Sequence, residues 1–183
     1  MNSLGKFLFD VLQTVALSLA IFAAVYLFVL SPHQVKGRSM EPNFVDGEYL
    51  LTEKISYRFG NPQQGDVIIF AAPPDKKSDY IKRIIGLPGD KVSLHNGKVS
   101  VNGKELAENY LPSDIMTFGG QFLADEQQIT VPASHYFVLG DNRPHSSDSR
   151  IFGTISRNDI VGKAWLVYWP LPEVKLIKQL APL

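Results

Sequence analysis

The sequence predicts a mostly β fold, a compact β-rich domain preceded by one N-terminal transmembrane helix. Residues 11–30 carry no charge, and as an α-helix twenty residues span roughly 30 Å, the thickness of a bilayer core. After residue 31, short apolar runs alternate with Gly, Pro and Asn turns, without a long amphipathic pattern. We therefore expect a short N-terminal segment at 1–10, an anchor at 11–30 and a β-rich domain at 31–183.

The apolar run has two other interpretations. A cleaved signal peptide has an apolar core of about 7–15 residues and small residues at the cleavage site, whereas this run is longer and ends in Val29-Leu30-Ser31-Pro32. A buried core helix is disfavoured by the length and the terminal position. Lys6 precedes the run, and Lys36 and Arg38 follow it. These charges lean weakly toward a cytoplasmic C-terminal domain, although a long domain can translocate despite such a bias.

The β-rich part is predicted from seven apolar runs separated by turns. The predicted strands are 48–53, 66–71, 80–85, 91–95, 98–101, 135–139 and 160–168. Asn96-Gly97 between two of them predicts a hairpin turn. The irregular polar stretch near 105–128 predicts an insertion between strands, either flexible or a small lobe, and 172–180 could form a short helix.

Composition excludes several classes of protein. The formal net charge is zero and no basic run contains interleaved aromatics, so a nucleic-acid partner is not expected. No cysteine is present, which excludes disulfides, thiol catalysis and zinc–thiolate sites. The four histidines lack metal-binding spacing, and the polar stretch 140–150 lacks the order of a calcium loop. We expect neither a metal nor an organic cofactor.

Four short stretches contain the residues that could carry chemistry: 37–42, 65–70, 80–90 and 140–150. Each has a plain structural interpretation by itself. Ser39 would be a turn serine after the anchor, Lys82 an exposed lysine on a strand, and 140–150 a polar loop. Strand alternation, however, places Tyr80, Lys82 and Ile84 on one face. Such neighbours would desolvate the ammonium of Lys82 and lower its pKa.

Together and in this order, the four stretches resemble type I signal peptidases. The resemblance covers the chain from the anchor to about Gly162. Its specific parts are Ser39-Met40-x-Pro42, Gly65-Asp66-Val67, Tyr80-Ile81-Lys82-Arg83 with Gly86-Leu87-Pro88-Gly89-Asp90, and Gly140-Asp141-Asn142 through Ser146, Asp148, Ser149 and Arg150. It implies a single-pass membrane protein with a β-rich catalytic domain on the extracytoplasmic side. The implied partners are membrane lipid and exported preproteins, whose signal peptides it would remove.

The resemblance also implies roles for individual residues. Ser39 matches the nucleophile, Lys82 the general base, and Ser146 the hydroxyl that orients the lysine. The supporting residues are Asp148 and Arg150 as a structural pair, Arg83 beside them, and Met40 buried next to the nucleophile. Some family members have a serine two places before the nucleophile, whereas this chain has Gly37. The oxyanion would then depend on backbone N–H groups, with Ser39 and Gly37 as the candidates.

A lysine can serve as the base only when it is neutral. With an ordinary pKa of about 10.4, roughly one lysine in a thousand is neutral near pH 7.4. Lowering the pKa by about 3 units costs on the order of 4 kcal/mol, which burial can supply. Arginine could not replace this lysine, because a guanidinium does not deprotonate.

Other functions fit the sequence less well. Self-cleaving SOS-type repressors use a similar Ser–Lys pair, but they need a DNA-binding domain where this chain has an apolar segment. An S-x-x-K acyltransferase is excluded, because Ser3 and Lys6 provide that spacing only before the anchor. The alternative that stays open is a membrane-tethered β binding module or an inactive peptidase homologue.

Overall fold

The computed structural model describes residues 3–73 and 76–177. Helix α1 (Ser3–Phe28) has 26 residues, and none of its side chains is buried against the rest of the protein. By length and composition it is able to cross a membrane. It ends at Phe28, before the expected end of the anchor, because Leu30 already pairs with Glu53 in the first strand pair.

The C-terminal end of α1 is fastened to the β domain by basic side chains. The ammonium of Lys54 donates hydrogen bonds to the carbonyls of Tyr26 and Leu27, at 3.2 and 3.4 Å. These carbonyls lie in the last turn, where the helix leaves acceptors unsatisfied. The guanidinium of Arg58 lies 5.1 Å from the centroid of the Phe28 ring. The helix therefore joins the β domain through specific contacts.

Twelve strands and two further short helices follow in the described residues. They are β1 (Leu30–Gln34), β2 (Tyr49–Glu53), α2 (Ser56–Phe59), β3 (Val67–Ala71), β4 (Asp79–Gly86), β5 (Lys91–His95), β6 (Lys98–Val101), β7 (Lys104–Glu105), β8 (Gln128–Thr130), β9 (His135–Leu139), α3 (Ser149–Phe152), β10 (Ile155–Ser156), β11 (Ile160–Trp169) and β12 (Lys175–Leu176). The mostly β fold predicted from the sequence is confirmed.

The strands form two antiparallel sheets. The main sheet has the order β1-β2-β11-β3-β4-β9-β10, with β12 also paired to β11, and the smaller sheet has the order β7-β6-β5-β8. The sheets meet at Gly86, where a Cβ would lie 2.6 Å from Cγ2 of Val92 in the smaller sheet. Only a residue without a side chain permits this approach.

The main sheet curls so that β1 and β4 face each other. Three strands separate them in the sheet order, yet Nε2 of His33 lies 3.4 Å from Oδ2 of Asp79. The curl brings the residues that follow β1 close to the middle of β4.

All seven strands expected from the sequence are present, with ends that differ by one residue or less. The short helix considered for 172–180 is a wrong prediction for residues 172–177, the part of this range that the structure describes. Leu171–Glu173 is one 3-10 turn and β12 follows, because Lys175 and Leu176 pair with Val167 and Leu166 of β11. Residues 178–180 lie outside the described residues. Residues 106–127, called the excursion below, contain neither helix nor strand.

Candidate active site

Ser39 lies on the loop between β1 and β2, and its neighbours fix it on both sides. Met40 is fully buried in the core beneath this loop. The carbonyl of Ser39 accepts a hydrogen bond from the backbone N–H of Asn142 at 3.0 Å. The side-chain amide of Asn142 donates to the carbonyl of Arg38 at 2.9 Å. The loop therefore holds Ser39 half-buried in a fixed position.

Lys82 reaches Ser39 from the middle of β4. Its Nζ donates to Oγ of Ser39 at 2.7 Å and to the carbonyl of Ile81 at 2.9 Å. The side chain is almost completely buried, with 3% of the residue exposed. The ring of Tyr80 lies 5.3 Å from Nζ, on the same strand face that the alternation pattern indicated. A candidate nucleophile and a candidate base are thus in direct contact, without an intervening group.

Burial makes Lys82 a far better base than an ordinary lysine. Desolvation disfavours the charged ammonium and lowers the pKa of Lys82 to about 8, although Asp148 and Asp141 act in the opposite direction. Near neutral pH a substantial fraction of the amine is therefore neutral, and a neutral amine accepts a proton from a serine hydroxyl.

Arg83, the residue after Lys82, pairs with Asp141. Its Nε and Nη2 donate to the two oxygens of this carboxylate, at 2.9 and 2.7 Å, and both side chains are buried. The side-chain amide of Asn43 also donates to Asp141, at 2.8 Å. The pair connects β4, which carries Lys82, to the stretch that follows β9 and to the loop that carries Ser39.

Residues 140–150, called the catalytic loop below, are organised by a second buried pair. Nε and Nη2 of Arg150 donate to the two oxygens of Asp148, both at 2.8 Å. Oδ2 of Asp148 also accepts the backbone N–H of Gly140 at 3.1 Å. Asp148 in addition accepts the Arg150 N–H at the start of α3. One carboxylate thus holds both ends of the loop.

Gly140 is the point where the catalytic loop meets the nucleophile. A Cβ at this position would overlap Oγ of Ser146 and the carbonyl oxygen of Ser39. Ser146 is buried, and its Oγ has no hydrogen-bond partner among the described residues. In this structure the hydroxyl therefore lies beside the nucleophile loop without a bond to Lys82.

The two backbone groups considered for the oxyanion differ. The N–H of Gly37 donates to Oδ1 of Asp46 at 2.7 Å, so it would have to leave this carboxylate to reach an oxyanion. The N–H of Ser39 makes no hydrogen bond to any described residue, and it belongs to the residue that bears the reacting oxygen. Ser39 is the better placed donor.

A groove of about 270 Å³ opens beside Ser39 and Lys82. It is lined by residues 33–36, at the end of β1 and just after it, and by residues 79–82 of β4. β4 pairs with β9 only from Arg83 onward, and β1 is the edge strand of its sheet. Both walls of the groove therefore contain strand edges that no described strand covers, and such edges accept an extended peptide.

Comparison with known proteins identifies the family. The model of the family described as "Signal peptidase, peptidase S26" matches residues 8–169. The chain belongs to this signal peptidase family. Signal peptidase IB of Staphylococcus aureus (strain N315) is 37% identical over 181 residues, which cover 93% of this chain and 94% of the relative. Signal peptidase I of Bacillus caldolyticus is 41% identical over 163 residues, which cover 85% and 88%.

This signal peptidase is accordingly a serine peptidase whose family cleaves signal peptides. A solved structure of signal peptidase I from Enterococcus faecalis V583 aligns with a TM-score of 0.46 and 32% identity, over 57% of this chain and 97% of that chain.

The fold of the signal peptidase brings the expected site residues together, with one difference in pairing. Arg83 was expected beside Asp148 and Arg150, but its carboxylate partner is Asp141. Sequence reasoning assigned no role to Asn142, which holds the loop of the nucleophile. The sequence did show that 140–150 is rich in side chains that can bond to backbone groups. That richness does not reveal which distant group each side chain contacts.

We expect Gly140→Ala to abolish most activity of the signal peptidase while the protein still folds. The added methyl group would overlap Ser146 and the carbonyl of Ser39, which would displace the nucleophile, and a 1 Å misplacement can cost about 100-fold in rate. The measurements are kcat on a preprotein and the midpoint of urea unfolding. Gly86→Ala is the matched control, because its methyl group overlaps Val92 away from Ser39 and should lower stability by about 1–3 kcal/mol. Equal losses of kcat in the two variants would contradict the role of Gly140.

We expect Lys82→Met to make the folded protein more stable at pH 7. The pKa of Lys82 is about 8 when folded and about 10.5 when unfolded, so the unfolded chain binds more protons between these pH values and stability rises with pH there. Below pH 8 the cost to the folded state is on the order of 3 kcal/mol. Urea unfolding at pH 7 and pH 10.5 should show a stabilisation by Lys82→Met that shrinks at the higher pH. The control is Lys104→Met, at an exposed position, which should leave the free energy of unfolding unchanged at both pH values. If Lys82→Met were less stable than the wild type at pH 7, burial of the charged lysine would not be costly.

Proposed function

We propose that this protein is a membrane-anchored signal peptidase that cleaves exported preproteins through an acyl-enzyme formed on Ser39, with Lys82 as the general base. The observation that carries the proposal is the 2.7 Å contact between Nζ of Lys82 and Oγ of Ser39, made by a lysine whose pKa is lowered to about 8. A tethered binding module or an inactive homologue would have no need for a buried lysine at a serine hydroxyl.

In the first half of the reaction, the hydroxyl of Ser39 attacks the carbonyl carbon of the scissile peptide bond. Neutral Lys82 takes the hydroxyl proton as the new C–O bond forms, and the carbonyl oxygen becomes an oxyanion. When the tetrahedral intermediate collapses, the C–N bond breaks and Lys82 gives its proton to the leaving amine. The signal peptide stays on Ser39 as an ester, and the mature protein leaves with a free N-terminus.

The second half repeats the proton transfers with water. Lys82, neutral again, takes a proton from a water molecule that attacks the ester, and then returns the proton to Oγ of Ser39. The N–H of Ser39 is proposed to donate to both oxyanions, and one such donor contributes roughly 3–4 kcal/mol in comparable sites. Ser146 is proposed to orient the amine, since its unpartnered buried hydroxyl lies beside Gly140 and the loop of Ser39.

The groove supports an extended substrate. The residues before the scissile bond would lie between residues 33–36 and residues 79–82 and would bond to the free strand edges on both sides. The walls near Ser39 include Leu50, Ile69 and Ile81, so the subsites next to the nucleophile are apolar. Such a groove fits the short, small-residue stretch at the end of a signal peptide.

The anchor supports a substrate held in the same membrane. Helix α1 is long and apolar enough to span a bilayer, and its part from residue 11 to Phe28 is proposed as the single span between a cytoplasmic segment at 1–10 and an extracytoplasmic catalytic domain that begins with β1 at Leu30. A signal peptide has its apolar segment in lipid. Anchoring both molecules in one bilayer raises their effective concentration.

The pH dependence of the rate tests the base. Because the neutral amine is the active form, kcat/KM should rise with pH and reach a plateau above an apparent pKa of about 8, whereas a histidine base would titrate near 6.5. Lys82→Arg should be inactive, since arginine keeps the charge but cannot deprotonate. The assay is cleavage of a purified preprotein.

The controls for this assay are Ser39→Ala, which should be inactive, and His95→Ala. His95 is exposed and pairs with Glu126, so its loss should leave cleavage unchanged. An active, folded Lys82→Arg enzyme would rule out the Ser39–Lys82 mechanism.

The orientation can be tested directly because the chain contains no cysteine. Single variants Ser3→Cys and Ser113→Cys place one thiol on each side of α1, both at exposed positions. In intact spheroplasts a membrane-impermeant maleimide should label Ser113→Cys and spare Ser3→Cys until the cells are lysed. The opposite labelling pattern would show that the topology is the reverse of the one proposed. Labelling of both cysteine variants in intact cells would contradict a single span.

A further inference from the structure

Arg143 is a fully buried arginine in the catalytic loop whose partners lie mostly in the excursion. Its Nε donates to the carbonyl of Gly140 at 3.0 Å. Its Nη1 donates to Oε2 of Glu108 at 3.1 Å and to Oγ1 of Thr117 at 2.6 Å. Its Nη2 donates to Oε1 of Glu108 and to the hydroxyl of Tyr110. One guanidinium therefore bonds the catalytic loop to three residues of the excursion.

Tyr110 makes a second connection, to the strand of the base. The guanidinium of Arg83 lies 4.2 Å from the centroid of the Tyr110 ring, and Arg83 directly follows Lys82. The carbonyl of Tyr110 accepts a hydrogen bond from the amide of Asn43 at 3.0 Å, and Asn43 lies on the loop of the nucleophile. The same excursion residue thus contacts the segments that carry both reacting groups.

Phe118 makes a third connection, to the second buried pair. Its carbonyl accepts a hydrogen bond from Nη1 of Arg150 at 2.9 Å. Arg150 holds Asp148, and Asp148 holds the N–H of Gly140. Gly140 is in turn the point of closest approach between the catalytic loop and the carbonyl of Ser39.

These contacts make the geometry of the catalytic loop depend on the docked excursion. A buried guanidinium without acceptors is strongly disfavoured, and only one of the acceptors of the Arg143 side chain belongs to its own loop. If the excursion moved away, Arg143 would have to leave its buried position and would pull Gly140 with it. Displacement of Gly140 would shift the loop of Ser39, whose Oγ contacts Nζ of Lys82, and would open the surroundings of the buried amine to water.

We propose that the excursion is a positioning element for the Ser39–Lys82 pair and that Arg143, held by Glu108, is the positioning residue through which it acts. The inference rests on the proposed function. Neither Arg143 nor Glu108 is among the residues that line the groove, so the link acts on the catalytic step and leaves substrate binding unchanged. Breaking the link between Arg143 and Glu108 should therefore change kcat and the pH at which Lys82 titrates.

The test compares Glu108→Gln with Glu105→Gln in the full chain, purified in detergent. Glu108→Gln keeps the shape of the side chain but removes the charge that Arg143 requires. Glu105 is exposed at the edge of the smaller sheet, and its cationic neighbour is Lys98 at 4.0 Å, so it serves as the matched control. The measurements are kcat and KM for preprotein cleavage between pH 6 and pH 10, with folding checked by circular dichroism.

For Glu108→Gln we expect kcat to fall by about tenfold or more, the effect of losing one of the two charged hydrogen bonds from Arg143 and weakening the other. KM should stay within about twofold, and the apparent pKa of the rate should rise above that of the wild-type enzyme measured in the same assay. Glu105→Gln should match the wild type in all three quantities. Glu108→Asp, which restores the charge, should recover part of the loss in kcat.

If Glu108→Gln fails to fold, the double variant Arg143→Met, Glu108→Met is used instead. It replaces the buried charges with apolar side chains, which a core commonly tolerates, and it should fold with the same low kcat and raised apparent pKa. A folded variant of either kind with wild-type kcat and pH profile would show that the contacts are merely structural, and it would overturn the inference. If the wild-type enzyme cleaved no preprotein, or if Ser39→Ala cleaved as well as the wild type, the proposed function would be overturned, and this inference with it.

Discussion

The buried ammonium of Lys82 is the constraint on which the rest of the structure depends. A lysine in water is protonated near neutral pH. An amine that is to act as a base, the role proposed for Lys82, therefore has to lie where solvent does not reach. Burial of a charge is destabilising, and among the described residues the amine has two hydrogen-bond acceptors, Oγ of Ser39 and the carbonyl of Ile81. So few acceptors leave the ammonium poorly compensated, which favours the neutral amine. The neighbouring aspartates raise the pKa of Lys82, and each of them already pairs with an arginine.

The two arginine–aspartate pairs explain how carboxylates can lie near a lysine whose pKa is lowered. Unpaired, Asp141 and Asp148 would stabilise the ammonium strongly and hold its pKa high. Arg83 and Arg150 each bond both oxygens of one carboxylate, which reduces the negative potential at Nζ. The same pairs fix the loops around Gly140. Electrostatic tuning and mechanical support of the site are therefore provided by the same four side chains.

Much of this could be predicted from the sequence, because the strands have strong local signals. Alternation, apolar runs and the Asn96-Gly97 turn predicted the seven main strands, and the uncharged run predicted the long helix. The alternation around Lys82 also predicted the neighbour Tyr80 that lies over its amine.

The rest could not be predicted, because it depends on contacts between segments far apart in the chain. β1 reads Leu30-Ser31-Pro32-His33-Gln34, which lacks a clear alternating pattern, and its strand form comes from pairing with β2. Arg83 and Asp141 are 58 positions apart, and Arg143 and Glu108 are 35 apart. The local sequence shows what kind of side chain stands at each position, but the curl of the sheet decides which side chains meet.

The contacts of Lys54 and Arg58 with the end of α1 have a geometric consequence on the proposed topology. A flexible tether would let the groove sample many heights above the lipid, whereas a helix fastened at its last turn holds the groove at one height. Ser39 lies only eleven residues beyond the end of α1 at Phe28, so the reach of the enzyme is short and constant. On the proposed topology, such an enzyme would cleave bonds that lie at a set distance from the bilayer surface, whatever side chains flank them.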